Sequence, residues 1–160
     1  MIKLFRVDDR LIHGQVQTKW ISTVGAEKII VVDTKTSQDP IALQILKIAV
    51  PNNIELLVYN ETDAVEILIK EGISKSKSMV LFKSITTIER LVNQGVDIRE
   101  VNVGPVSSKP GTRKIVKNTY FTSEEINAAT KLSENNVYIY FQLVPDDSKI
   151  DWLNISRKIK

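Results

Sequence analysis

Arg6-Val7-Asp8-Asp9-Arg10-Leu11-Ile12-His13-Gly14-Gln15-Val16 joins an apolar run, Met1 to Val7, to an amphipathic run that begins at Gly14. The first run reads as a strand and the second as a helix, so this stretch is a strand-to-helix turn. It holds two arginines, two aspartates, a glycine and the only histidine of the chain. In an α/β sheet such a turn lies at the carboxyl end of a strand, where ligands bind. It also opens a helix, whose unpaired N–H groups and positive dipole end favour an anion.

Outward from that turn, apolar runs and helical patterns alternate. Strands are predicted at Ile2–Val7, Lys28–Val32, Ile54–Tyr59, Met79–Phe82, Glu100–Val103 and Val137–Val144. Ile29–Val32 and Met79–Phe82 are continuous apolar runs, as expected of strands covered on both faces. Helical stripes join Val16, Trp20, Ile21 and Val24; Ala64, Val65, Leu68 and Ile69; and Ile88, Leu91 and Val92. Asp39-Pro40 reads as an N-cap with proline at the first helical position. Thr86…Glu89 and Thr122…Glu125 have capping-box spacing, and Gly25, Gly72 and Gly95 stand where helices should stop. These repeated units predict an α/β fold: a doubly wound, mainly parallel open sheet with helices on both faces. Gly104 to Thr122 breaks the rhythm, and an irregular or antiparallel edge strand is expected near 112–121, available to another chain. Ser148 to Ile159 reads as a final helix carrying Trp152, Leu153 and Ile155. No repeat or linker divides the chain, and residues 1–160 read as one domain.

The totals agree with an ordinary globular domain of 160 residues, 42% hydrophobic and 26% charged. A net charge of +3 is scattered, so no nucleic-acid footprint is expected. Without cysteine there is no disulfide or thiolate chemistry. One histidine and no acidic calcium-loop spacing argue against a metal. There is no signal-like segment and no apolar run near 18 residues, so a cytoplasmic protein is expected.

The residue types at the first turn suit phosphoryl transfer, which needs positioning and charge neutralisation above all. A neutral imidazole nitrogen can attack phosphorus and pass the group on; a histidine ordinarily titrates near ~6.5, leaving much of it neutral in the cell. Arg6 and Arg10 could hold the non-transferring oxygens. Gly14 would let the backbone come close, with the amides of Gly14 and Gln15 aimed at the phosphate. Asp8 or Asp9 could orient the ring or pair with the arginines. Asp33, Lys83 and Ser84, at the ends of other strands, are candidates for the rim of the same site. Gly104–Thr112 lacks P-loop spacing and reads as a loop near a docking surface. The same residues allow two other readings. A receiver domain would use the Asp8-Asp9 acid pair, although its phosphoacceptor aspartate is missing where the third strand ends in Tyr59-Asn60. A non-catalytic interaction module would use the turn only for docking.

The string Arg-Val-Asp-Asp-Arg-Leu-Ile-His-Gly-Gln-Val followed by Trp20 resembles the active-site segment of the IIB subunits of the mannose/fructose/sorbose family. These belong to the phosphoenolpyruvate-dependent sugar phosphotransferase system. The likeness continues at Asp39-Pro40, Asn102-Val103-Gly104-Pro105, Lys117 to Thr122 and Val144-Pro145-Asp146-Asp147, and so spans the chain. It implies a phosphotransferase subunit. The IIA phosphocarrier protein or domain would phosphorylate His13, at Nδ1 in this family, and His13 would pass the group to a sugar held by the IIC and IID membrane subunits. His13 would be the carrier and Arg10 its first charge partner, with Arg6 and Asp8 in support. The covalent phosphoryl group is the only prosthetic element implied; no cofactor is expected, and the membrane is reached only through the subunits. Leu11 and Ile12 are expected to form an exposed apolar centre of the docking surface, rimmed by Arg6, Arg10 and Lys83.

Overall fold

The alternation of apolar runs and helical stripes becomes, in the computed structural model, a seven-stranded sheet in the order β3-β2-β4-β1-β5-β8-β9. The model describes residues 1–14 and 16–159, the side chains of Val16 and Gln17 excepted. Strands β1 (Ile2–Val7), β2 (Lys28–Val32), β3 (Glu55–Tyr59), β4 (Ser78–Phe82), β5 (Glu100–Val103) and β8 (Tyr138–Phe141) all run parallel. Strand β9 (Ile150–Asp151) closes one edge antiparallel to β8. All of β4 is buried, as a strand between two covered faces requires.

Helices divide between the faces. A π-helical turn (Val16–Trp20), α1 (Ile21–Val24), α2 (Thr34–Ser37) and α3 (Pro40–Ala49) follow β1 and β2. Trp20, Ile21 and Leu46 from these segments pack on Ile29, Val31, Met79 and Leu81. The other face carries α4 (Glu61–Gly72), α5 (Ile85–Asn93), α6 (Ser123–Glu134) and α7 (Trp152–Ser156) over Val7, Ile30, Val80, Phe82 and Phe141. The chain therefore leaves β1 over one face and leaves both its neighbours, β4 and β5, over the other. That divergence opens a crevice at the carboxyl end of β1, the usual ligand position in such sheets.

Several local expectations are met and several are shifted. Asp39 caps α3 through Ile41 N and Ala42 N, with Pro40 at the first turn. Thr122 and Glu125 form the capping box of α6. The cap of α5 is Ser84 rather than Thr86, because the helix starts at Ile85 and the Ser84 hydroxyl accepts from Thr86 N–H. The stretch near 112–121 does form an antiparallel hairpin, β6 (Thr112–Val116) with β7 (Thr119–Thr122), but as a separate two-stranded sheet. The antiparallel edge of the main sheet is β9. The expected long strand to Val144 stops at Phe141, where Gln142 and Leu143 turn their carbonyls onto Arg6. The expected C-terminal helix from Ser148 starts only at Trp152, after β9.

On the α1–α3 side of the sheet, β5 and β8 present polar groups instead of a helix-packing surface. Arg6, Asn102 and Gln142 are buried there, beside a cleft of about 550 Å³ lined in part by Trp20, Tyr140 and Gln142.

Candidate active site

Strand β1 places its side chains alternately, so Leu4 and Arg6 share one face while Phe5 and Val7 take the other. Arg6 consequently ends inside the protein, fully buried. Its Nη1 donates to Asn102 Oδ1 and, at 3.0 Å, to the Gln142 carbonyl. Its Nη2 donates at 3.0 Å to the Leu143 carbonyl and lies 3.5 Å from Asp8 Oδ2. The guanidinium also stacks on Trp20, with Cζ 4.8 Å from the ring centroid, and Trp20 Nε1 donates to the same Leu143 carbonyl at 3.0 Å. Gly104 makes room for this packing: a Cβ there would fall 2.6 Å from Arg6 Cζ. Burial lowers the guanidinium to about 10, against the opposing pull of Asp8, so it is still a cation at neutral pH.

Asp8 follows, also fully buried. Its N–H continues the sheet by donating to Phe82 O at 2.8 Å. Its Oδ1 accepts from the Arg10 N–H at 3.1 Å, an Asx turn that bends the chain back. Its Oδ2 lies 2.5 Å from His13 Nε2. Leu11 completes the bend, donating its N–H to Asp8 O at 2.9 Å with a left-handed φ of 57°, uncommon for a leucine. Burial of Leu11 and Ile12 in the α1–α3 core holds the turn in that shape. His13 is left at the mouth, its side chain 15% exposed.

Asp9 ties the turn to its neighbour. Its N–H donates to Pro105 O at 3.2 Å, and its Oδ2 accepts from Ser107 N–H at 2.7 Å. Arg10 is exposed and lines a cleft of about 310 Å³ with Pro105, Ser107, Asn118, Tyr120 and Leu143.

The sequence-predicted residues thus separate into groups. Asp8, Arg10 and His13 meet at one turn. Arg6 joins them from beneath, where its burial keeps it from any phosphate; it braces Asp8 and Trp20 instead. Gly14 is exposed with open space at its Cα, and Gln15 lies outside the described residues. Leu11 and Ile12 are core residues, not the exposed apolar centre expected, because the turn folds their side chains under itself. Asp33 caps α2, accepting from Thr36 N–H at 3.0 Å and Thr36 Oγ1 at 2.6 Å, with Lys83 Nζ at 3.7 Å. Since β4 lies between β2 and β1, Asp33 stands two strands from Asp8, roughly 10 Å at the usual strand spacing. Ser84 turns away to α6, donating to Glu125 Oε1 at 2.9 Å. Asn102, Gln142 and Leu143 were missed as support for the site. Asn102 stood in a recognised motif, but nothing local marks carbonyls 136 and 137 residues from Arg6 as its partners. Among the described residues no three His, Asp or Glu side chains gather as a metal site would need.

Comparison with known proteins identifies the family and the fold. The family model described as PTS system sorbose subfamily IIB component matches residues 2–160. The chain is 30% identical to the PTS system fructose-specific EIIB component of Bacillus subtilis, covering 99% of this chain and 97% of that one. It is 30% identical to the PTS system mannose-specific EIIAB component of Escherichia coli, covering 99% of this chain and 49% of that protein. The crystal structure of the IIBSor domain of the sorbose permease from Klebsiella pneumoniae superposes with a TM-score of 0.93 at 27% identity. That match covers 100% of this chain and 98% of the other.

Proposed function

Because this chain belongs to the IIB components of the mannose/fructose/sorbose family of the sugar phosphotransferase system, we propose that His13 is its phosphoryl carrier, working through Nδ1. The observation that carries this is the 2.5 Å contact between His13 Nε2 and Asp8 Oδ2. An ionised carboxylate only accepts, so the ring nitrogen facing it bears the proton and Nδ1 bears the lone pair.

In the first step the P–N bond of a phosphohistidine on IIA breaks as a bond forms between phosphorus and His13 Nδ1. The Asp8 carboxylate stabilises the extra positive charge of the ring. In the second step the His13 P–N bond breaks, a sugar hydroxyl oxygen takes the phosphorus, and the hydroxyl proton is released. The sugar is held by the IIC and IID membrane subunits, and the IIB chain works at the cytoplasmic side. In this reading exposed Arg10, three residues before His13, is the cation that neutralises the transferring oxygens. Gly14 offers backbone at the opening of the following helix, and no cofactor enters either step.

His13 is the only histidine, which makes the test simple. Labelled phosphoenolpyruvate, the general phosphotransferase proteins and a mannose-family IIA should give an acid-labile, base-stable label that is absent from His13→Ala. A base-labile label that survives the substitution would point to an acyl phosphate and reject the reading. No label, with a IIA known to be active, would favour a docking role alone.

A further inference from the structure

Between Val101 and Ser123 the chain contains no aspartate or glutamate but carries Lys109, Arg113, Lys114 and Lys117. Those four charges exceed the +3 of the whole protein, and all four side chains are exposed. They sit on the β6–β7 hairpin and the loop leading into it, which stand apart from the main sheet. The hairpin is nonetheless tied to the turn that carries His13, at Asp9 and Arg10. Val106 pairs with it, donating to Asn118 O at 3.0 Å and accepting from Tyr120 N–H at 3.0 Å. Thr119 Oγ1 donates to Gly104 O at 2.9 Å, and Ser107 N–H donates to Asp9 Oδ2. Asn118 and Tyr120 form one wall of the cleft whose other wall includes Arg10. A second cleft that shares Leu143 is lined by Lys117 and Asp147 together, and Asp146 lies 3.7 Å from Lys19 Nζ.

We infer that the β6–β7 hairpin is the docking surface for an acidic face of the protein that donates the phosphoryl group to His13. This rests on the phosphocarrier reading. A donor that brings a phosphorylated side chain to the mouth of this site must cover the Arg10–Tyr120 cleft, and its next contact outward is the hairpin. The four exposed cations attract a complementary acidic surface. Steering of this kind acts mainly on the association rate and weakens with salt.

The test is the variant Arg113→Glu/Lys114→Glu/Lys117→Glu, assayed with two donors: phosphorylated IIA, and phosphoramidate, a small molecule that releases ammonia as it phosphorylates histidine. Transfer from IIA should fall by about tenfold or more in kcat/KM at low ionic strength. The fall of the unaltered protein's rate with added salt should flatten in the variant, and labelling by phosphoramidate should persist. Unchanged transfer from IIA would overturn the inference. Loss of labelling by both donors would overturn it too, since the hairpin would then act on the site itself. Unchanged transfer with lost binding to phosphatidylglycerol vesicles would assign the hairpin to a membrane surface instead. Failure of the phosphocarrier reading is visible separately, as absence of label on the unaltered protein with either donor.

Discussion

Asp8 makes contacts that no other residue at the turn could replace: it shapes the backbone through Arg10 N–H, fixes one nitrogen of His13, and faces the Arg6 guanidinium. Asn at this position keeps the size but can present an amide N–H to His13 Nε2, favouring the tautomer that protonates Nδ1. Asp8→Asn should therefore lower the rate of transfer through His13 by about 100-fold or more and, because the buried Arg6 cation loses its carboxylate partner, should also lower the thermal unfolding temperature, as calorimetry and quench-flow on the still-folded variant would show. Equal rates for the two proteins would remove Asp8 from the mechanism. Gly104→Ala is a second residue-scale case. The added methyl meets the Arg6 guanidinium, and overpacking of this kind costs about 1–3 kcal/mol. Because Arg6 braces Asp8, the denaturant midpoint and the transfer rate should drop together; a stable variant with reduced transfer would mean that Arg6 is free to move. The cluster of Asp8, Arg10 and His13 was legible in the sequence because all its members fall within one short turn. The place of Arg6 was partly legible: two residues after Leu4 in a strand it must point inward, yet a guanidinium beside a histidine reads more readily as a phosphate ligand. Its partners at Asn102, Gln142 and Leu143 come from distant strands, and only the sheet order brings them together.

At the scale of elements, capping explains most of the boundaries and tertiary contacts explain the rest. Thr122 and Glu125 were legible as a pair three residues apart, and the box forms. The same spacing at Thr86 and Glu89 does not form one, because Ser84 caps first and also donates to Glu125 on α6. Helices α4 and α5 are joined by Arg90, which donates to Glu61 at 2.7 and 2.6 Å. Those bonds hold the Glu61 carboxyl below its ordinary 4.5. A depressed carboxyl contributes stability above its unfolded value and loses it as the pH falls through the lower folded value. Glu61→Gln should therefore show a smaller loss of stability between pH 7 and pH 3 than the unaltered protein, read from urea midpoints at the two pH values. Parallel losses would mean that the pair contributes nothing. No periodicity in the sequence marks this pair, since the two residues belong to different helices.

For the whole molecule, the order β3-β2-β4-β1-β5-β8-β9 matters more than any single contact. The parallel, doubly wound class was legible from the alternation of apolar runs and helical stripes. The order of the strands was not, because apolar strands of similar length carry no label for their neighbours. That order puts β1 between two strands whose connections leave over the opposite face, and the His13 turn rises from the resulting crevice. It also buries Arg6 among carbonyls of the β8 end, so the support beneath the histidine belongs to the whole sheet. In the proposed mechanism this support commits Nε2 to Asp8 and leaves Nδ1 to carry phosphorus. Long-range proton–nitrogen NMR of the ¹⁵N-labelled, phosphorylated protein tests it most directly, since a single histidine gives an unambiguous ring spectrum. Phosphorus is expected on Nδ1, with the proton retained on Nε2. Phosphorus on Nε2 would contradict it, because Asp8 would then have to give up the contact on which the site is built.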